Sequence, residues 1–176
     1  MQQSLKTMLT LGVLAVVLVL MAVLGFRQLT KPLPSLDTAP APTAPCQDED
    51  VAAGGTISPA MVTVSVYNAG TESGLADATM ALLAEKGFGN GETGNTDRTI
   101  RVRRAQVWVE SKPSPAARLV ASYLGPRTPI VEAPTAGVGV MVVVGDNFSQ
   151  TLAPGKRKVT AARATTICRP TPDPVE

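Results

Sequence analysis

The chain has 176 residues, with 16 Lys plus Arg against 14 Asp plus Glu, 15 Gly, 15 Pro, two Cys and no His. That length holds one modest domain with extensions, and the missing imidazole excludes His-dependent acid–base catalysis and His-ligated metal sites. Two cysteines are too few for a four-thiolate zinc or iron–sulfur site, which leaves a single disulfide or two free thiols; a net charge of +2 carries no nucleic-acid footprint, and no cofactor is expected.

Residues 1–6 form a short N-terminus. Residues 7–26, TMLTLGVLAVVLVLMAVLGF, are twenty residues without a charge. At ~1.5 Å per residue they span roughly 30 Å, which predicts a transmembrane helix. A cleaved signal peptide is the alternative, because Lys6 and the N-terminal amine precede the apolar run and Val-Leu-Gly near its end resembles a cleavage site. Lys6 and the amine balance Arg27 and Lys31, so flanking charge does not orient the helix. Everything foldable, and both cysteines, follow it. The expected arrangement is therefore a cytoplasmic N-terminus, a single pass through the cytoplasmic membrane and an extracytoplasmic C-terminal domain.

Residues 27–58 read as a linker. Pro32, Pro34, Pro40, Pro42 and Pro45 favour polyproline II, and at ~3.1 Å per residue the stretch from Arg27 to Pro45 reaches up to roughly 60 Å. Asp48, Glu49 and Asp50 after it read as solvated loop.

The folded domain is expected over residues 59–150. In MVTVSVY, Val62, Val64 and Val66 alternate with Thr63, Ser65 and Tyr67, the period of a strand with one buried face. Asn68, Ala69 and Gly70 then turn the chain into a helix with Ser73 as N-cap, Leu75, Thr79, Leu82 and Leu83 as inner stripe, and a stop at Gly87. With Gly87 at C′, Phe88 falls where a Schellman motif presses it back on Leu83. GFGNGETGNTD permits only a short irregular strand. In TIRVRRAQVWVE the apolar positions change phase near Arg103 and Arg104, so a bulge or break is expected there. Ser114 and Pro115 open a second helix as N-cap and N1, Gly125 closes it, TPIVE is a short strand, and GVGVMVVVG suits the middle of a sheet. The fold class is α/β, a small two-layer sandwich in the order strand-helix-strand-strand-helix-strand-strand, with both helices on one sheet face. The domain is neutral, with eight acidic and eight basic side chains. Residues 151–176 read as a basic tail carrying Lys156, Arg157 and Lys158.

Alternation places Ser65, Tyr67, Gln106 and Trp108 together on the sheet face away from the helices. Trp and Tyr among small polar groups suit stacking on sugar rings, so this face is a candidate glycan platform; otherwise the tail or a second protein covers it. The turn with Asn68, Gly70 and Gly74 leads from a strand into a helix N-terminus, where a carboxylate or phosphate could dock on free N–H groups, unless those residues only shape the turn. Asp146, just past the central strand, reads as an Asx-turn residue or a ligand carboxylate. Gly89, Gly91 and Gly94 spell GxGxxG, but after a helix instead of a strand, which removes the dinucleotide reading. Ser111 and Lys112 are neighbours on a strand end and point apart, which argues against a Ser-Lys dyad. Cys46 and Cys168 flank the domain, and a disulfide between them would tie both ends down.

VTVSVYNAGTESGLADATMALLAEKGF, AARLVASYLG and VGVMVVVGDNF together resemble the LytR C-terminal domain family of cell-envelope proteins, over about half of the chain. Asn68, Gly70, Gly74, Leu75, Ala76, Gly87 and Phe88 carry the similarity. With an N-terminal anchor, a Pro-rich linker, a QVWV strand and two flanking cysteines, the whole is similar to actinobacterial envelope-integrity proteins. The resemblance implies a non-enzymatic role in keeping the envelope intact, often beside enzymes that attach polymers to peptidoglycan, whose catalytic domain this chain does not contain. The expected partners are cell-wall polymer or an envelope-assembly protein, and the membrane itself through the N-terminal helix. A protein-only scaffold and an enzyme of unfamiliar type are the alternatives.

Overall fold

The structure is a computed structural model that describes Gly12, Leu14, residues 18–21 and residues 46–171. The chain divides into two compact units, residues 1–42 and 43–176. In the first, the six described residues are helical and exposed. Among the described residues no helix is long and apolar enough to cross a membrane, and the rest of the expected transmembrane segment lies outside them, as does the linker before Cys46.

The second unit is built on a five-stranded sheet. Its strands, in chain order among the nine of the described residues, are β3 (Thr63–Asn68), β4 (Gly89–Asn95), β5 (Ala105–Val109), β6 (Ile130–Glu132) and β7 (Val140–Val144), arranged β4-β3-β7-β5-β6. β3 runs parallel to both β4 and β7, β6 is parallel to β5, and β5 is antiparallel to β7. Helices α1 (Leu75–Glu85) and α2 (Pro115–Leu124) pack on one face. The expected order of elements is thus the observed one, and β7, the most apolar strand, is central and buried along its whole length.

Val64, Val66, Val107, Val142 and Val144 meet Leu75, Leu83, Leu119 and Val120 in the main core. α1 ends as its sequence predicts. Gly87 has φ 89°, its N–H donates to Ala84 O at 2.8 Å, and the Phe88 N–H donates to Leu83 O at 3.2 Å, the paired bonds of a Schellman motif. Phe88 is buried and stands edge-on to Tyr123, with ring centroids 5.1 Å apart. At the start of α2, Ser114 Oγ accepts from Ala117 N at 3.1 Å.

Two local expectations fail. Ser73 does not cap α1: Gly74 holds that position at φ 78°, a left-handed conformation that costs glycine little and serine more. The buried stripe of α1 uses Ala76 and Met80, while Leu82 is only half-buried.

The larger correction concerns the flanks. Residues read as linker and tail contain strands: β1 (Cys46–Val51) pairs antiparallel with β9 (Thr165–Pro170), and β2 (Thr56–Ile57) with β8 (Val159–Thr160). Val51, Ile57, Ala161 and Ile167 are buried in the main core. Between them, the segment after Phe148 runs along α2, where Ala153 N donates to Tyr123 O at 2.7 Å and Lys156 N to Ser122 Oγ at 2.9 Å. Cys46 and Cys168 form a disulfide across the β1–β9 ribbon, with Cα atoms 5.3 Å apart and 122 positions between them in sequence.

Candidate functional site

The parallel strands β3, β4 and β7 all end on one side of the sheet, and the loops that follow them converge there. This is the side of an open α/β sheet on which ligands usually sit. Asn68, at the end of β3, is buried. Its Nδ2 donates to Glu72 O at 2.7 Å and its Oδ1 accepts from Gly70 N at 2.8 Å, so one amide closes the loop from both directions. The Asn68 carbonyl accepts from Thr96 N at 2.9 Å, which ties in the loop after β4.

The free N–H groups expected in this loop are taken by the chain itself. Asp146 Oδ1 accepts from Thr71 N at 2.6 Å and from Glu72 N at 3.2 Å, and Oδ2 accepts from Thr71 Oγ1 at 3.3 Å. These backbone donors, Thr71 first and then Glu72, hold the Asp146 carboxyl below the ordinary carboxylate range, with Arg101 adding a favourable charge. Gly70 is required for this contact, since a Cβ there would collide with the Asp146 carboxylate. Asn68, Gly70 and Gly74 therefore come together as a turn, and the anion that sits on it is Asp146. Beside it lies a cleft of about 530 Å³ lined by Asn68, Gly70, Thr71, Asp97, Arg98 and Arg101. Backbone and hydroxyl donors of Thr99 lower the Asp97 pKa.

On the face away from the helices, the pairing register brings Ser65, Met141 and Trp108 into one row and Tyr67, Val143 and Gln106 into the next. The shared face is as expected, but its exposure is not. Ser65 is fully buried. Its Oγ donates to Val138 O at 2.7 Å and accepts from Glu92 N at 3.0 Å and Val138 N at 3.1 Å. The pairing of β3 with β4 is irregular between Val64 and Val66, and the Ser65 hydroxyl satisfies the amide that the bulge leaves over. Ser65 is structural and can touch no polymer. Tyr67, Gln106 and Trp108 are half-buried. Tyr67 and Trp108 pack in a second apolar cluster with Val102, Met141, Val143 and Ile100. The chain between β4 and β5 lies over Tyr67 and Trp108, and the loop before β7 lies over Ser65. Trp108 Nε1 donates to Gln106 Oε1 at 2.9 Å, and the Tyr67 hydroxyl donates to Glu92 Oε2 at 3.2 Å. Burial and the Glu92 carboxylate raise the Tyr67 pKa.

Sequence reasoning passed over the strap itself. Residues 98–104 read RTIRVRR, four arginines in seven residues, and the change of apolar phase is where this strap leaves the sheet: Ile100 and Val102 turn to the second cluster, and the strand resumes at Ala105. A count of arginines per window would have singled it out, whereas the neutral total of the domain concealed it. A second cleft, of about 470 Å³, lies at the opposite end near the disulfide ribbon, lined by Asp48, Thr63, Glu110, Thr135 and Thr166 among others. Among the described residues no group of three His, Cys, Asp or Glu side chains is placed to hold a metal ion.

Residues 61–148 match the family LytR_C, LytR cell envelope-related transcriptional attenuator. No curated protein matches the chain significantly. Among solved structures, the chain is similar to the soluble domain of a conserved hypothetical secreted protein from Mycobacterium marinum, at 22% identity and a TM-score of 0.41, the alignment covering 58% of this chain and 68% of that one.

Proposed function

The chain belongs to the LytR cell envelope-related transcriptional attenuator family, and from that membership we propose that it is a membrane-anchored, extracytoplasmic accessory protein of the cell envelope. It acts without catalysis, by holding wall polymer or an envelope-assembly protein. The observation that carries this reading is the family match over residues 61–148, which spans the five-stranded sheet and both helices. The disulfide between Cys46 and Cys168 supports an oxidising compartment, where such bonds persist. The uncharged run of residues 7–26 supports the anchor. The absence of His from the sequence supports a binding role.

Crosslinking in intact cells followed by digestion of the wall tests the polymer reading. Adducts that collapse on digestion are expected. Adducts that persist unchanged and contain only protein would replace polymer binding with a scaffold role, which the partial cover over Tyr67 and Trp108 also favours.

A further inference from the structure

The eight basic side chains of residues 59–150 are not spread evenly. Arg101, Arg103 and Arg104 stand on the strap that leads into β5, and Arg127 follows the C-terminus of α2, so all four reach the same end of the sheet. The strap is held there by its backbone. Gly145 N donates to Arg104 O at 2.8 Å and Asn147 N to Arg103 O at 2.9 Å, while Val102 just before them is buried. A Cβ at Gly145 would collide with the Val102 carbonyl, so the close approach requires glycine. All four arginines are exposed, and the ion pair found among the described residues, Arg169 with Glu49, lies elsewhere.

The carboxylates of this end reach only part of that group: Asp97 lines a cleft with Arg101, and Asp146 receives a favourable charge from Arg101. Asp97 and Asp146 are engaged by Thr99 and by Thr71 and Glu72. The half formed by β5 and α2 contains a cleft of about 430 Å³ lined by Arg104, Leu124, Gly125, Pro126, Arg127 and Thr128, with no carboxylate in its wall. The C-terminal carbonyls of α2 amount to about half an elementary charge, too little to neutralise two guanidinium groups.

We propose that Arg101, Arg103, Arg104 and Arg127 form a docking surface for a polyanionic envelope polymer whose repeating unit carries a phosphodiester. This rests on the envelope role proposed above and names the class of polymer. Guanidinium forks match phosphate oxygens in pairs, and a cluster of positive charges suits a chain that presents one anion per repeat. Position favours a polymer over a lipid surface. Cys46, where the chain enters this unit, belongs to the ribbon beside Gly89, at the start of the strands. The arginines lie beyond their far ends, so a tether at Cys46 leaves them free to face a polymer.

The test uses the full chain in detergent micelles with three probes: poly(glycerol phosphate), uncharged dextran, and vesicles of phosphatidylcholine with phosphatidylglycerol. The parent should bind the polyphosphodiester, should ignore dextran, and should lose binding as salt is raised. R101Q/R103Q/R104Q/R127Q should weaken that binding by about tenfold or more at low salt with an unchanged melting curve. K156Q/R157Q/K158Q should leave it intact. Equal binding by the quadruple variant, an equal loss in the tail variant, or binding to vesicles but not to polymer would each overturn the proposal. If the quadruple variant still forms adducts in cells that collapse on wall digestion, the arginine surface is wrong and the polymer reading stands; adducts of protein alone defeat both.

Discussion

Asp146 does for the loop before α1 what an external anion does at many helix N-termini: it supplies acceptors to N–H groups that have no partner within the helix. Its lowered pKa fixes the sign of a pH effect. The folded carboxyl titrates below the unfolded one, so its contribution is fully present above the ordinary Asp pKa of ~3.9 and is lost as pH falls through the lowered folded value. Asp146→Ala should therefore be less stable than the parent near neutral pH, and the gap between their urea midpoints should close below about pH 4; a gap independent of pH would contradict the contact. Asp97 titrates in both proteins and cancels in that difference. Gly70→Ala should cost about 1–3 kcal/mol by overpacking and distinctly less in the Asp146→Ala background, a coupling that a double-mutant cycle measures directly. Trp108→Ala removes a half-buried ring from the second cluster and should cost about 1–2 kcal/mol without altering polyphosphodiester binding. A loss of binding on the folded Trp108→Ala protein would move the site to the other sheet face. Alternation along β3 and β5 made the shared face of Ser65, Tyr67, Gln106 and Trp108 legible. The burial of Ser65 was not, because its cover comes from Val138 and Glu92, 73 and 27 positions away.

Three of the four helix ends were readable from local signals, the start of α1 being the exception. Gly87 with Phe88 and Ser114 with Pro115 each place a stop or start within a few residues, and Ser114→Ala should lower stability by about 1 kcal/mol. The ribbons were not readable. β1 is Cys-Gln-Asp-Glu-Asp-Val, an acidic stretch with low strand propensity, and it is a strand because Thr165–Pro170 lies opposite and the disulfide locks the pair. β2 and β8 are two residues each, too short for periodicity to register, yet Ile57 in β2 and Ala161 just after β8 are fully buried. For a closed loop of this size the chain-entropy relation gives roughly 4–5 kcal/mol, a large share of a small domain's net stability. Cys46→Ser with Cys168→Ser should thus lower the stability of the folded unit by up to about that amount, read from chemical unfolding; an unchanged midpoint would mean that the ribbon holds without the bond.

Taken whole, the second unit is a sheet with a closed end and an open one. Cys46, Cys168 and the β1–β9 ribbon pin the end where the chain enters, whereas the loops after β3 and β7 and the strap from β4 to β5 meet at the other. Its net charge conceals a partial separation, with Arg104 and Arg127 around a cleft that no carboxylate lines, whereas Arg98 and Arg101 share theirs with Asp97. No sequence total shows this, because the separation arises only when the strap and the end of α2 are folded together. A domain tied by a cystine and preceded by an uncharged run of membrane length is what the proposed anchored, extracytoplasmic role requires. The most direct check is a pair of reporters fused behind Glu176 in living cells, one a phosphatase active only after export and one a fluorescent protein that matures only in the cytosol. Phosphatase activity in the membrane fraction with a dark cytosolic reporter is the expected result, and a bright cytosolic reporter with an inactive phosphatase would contradict it.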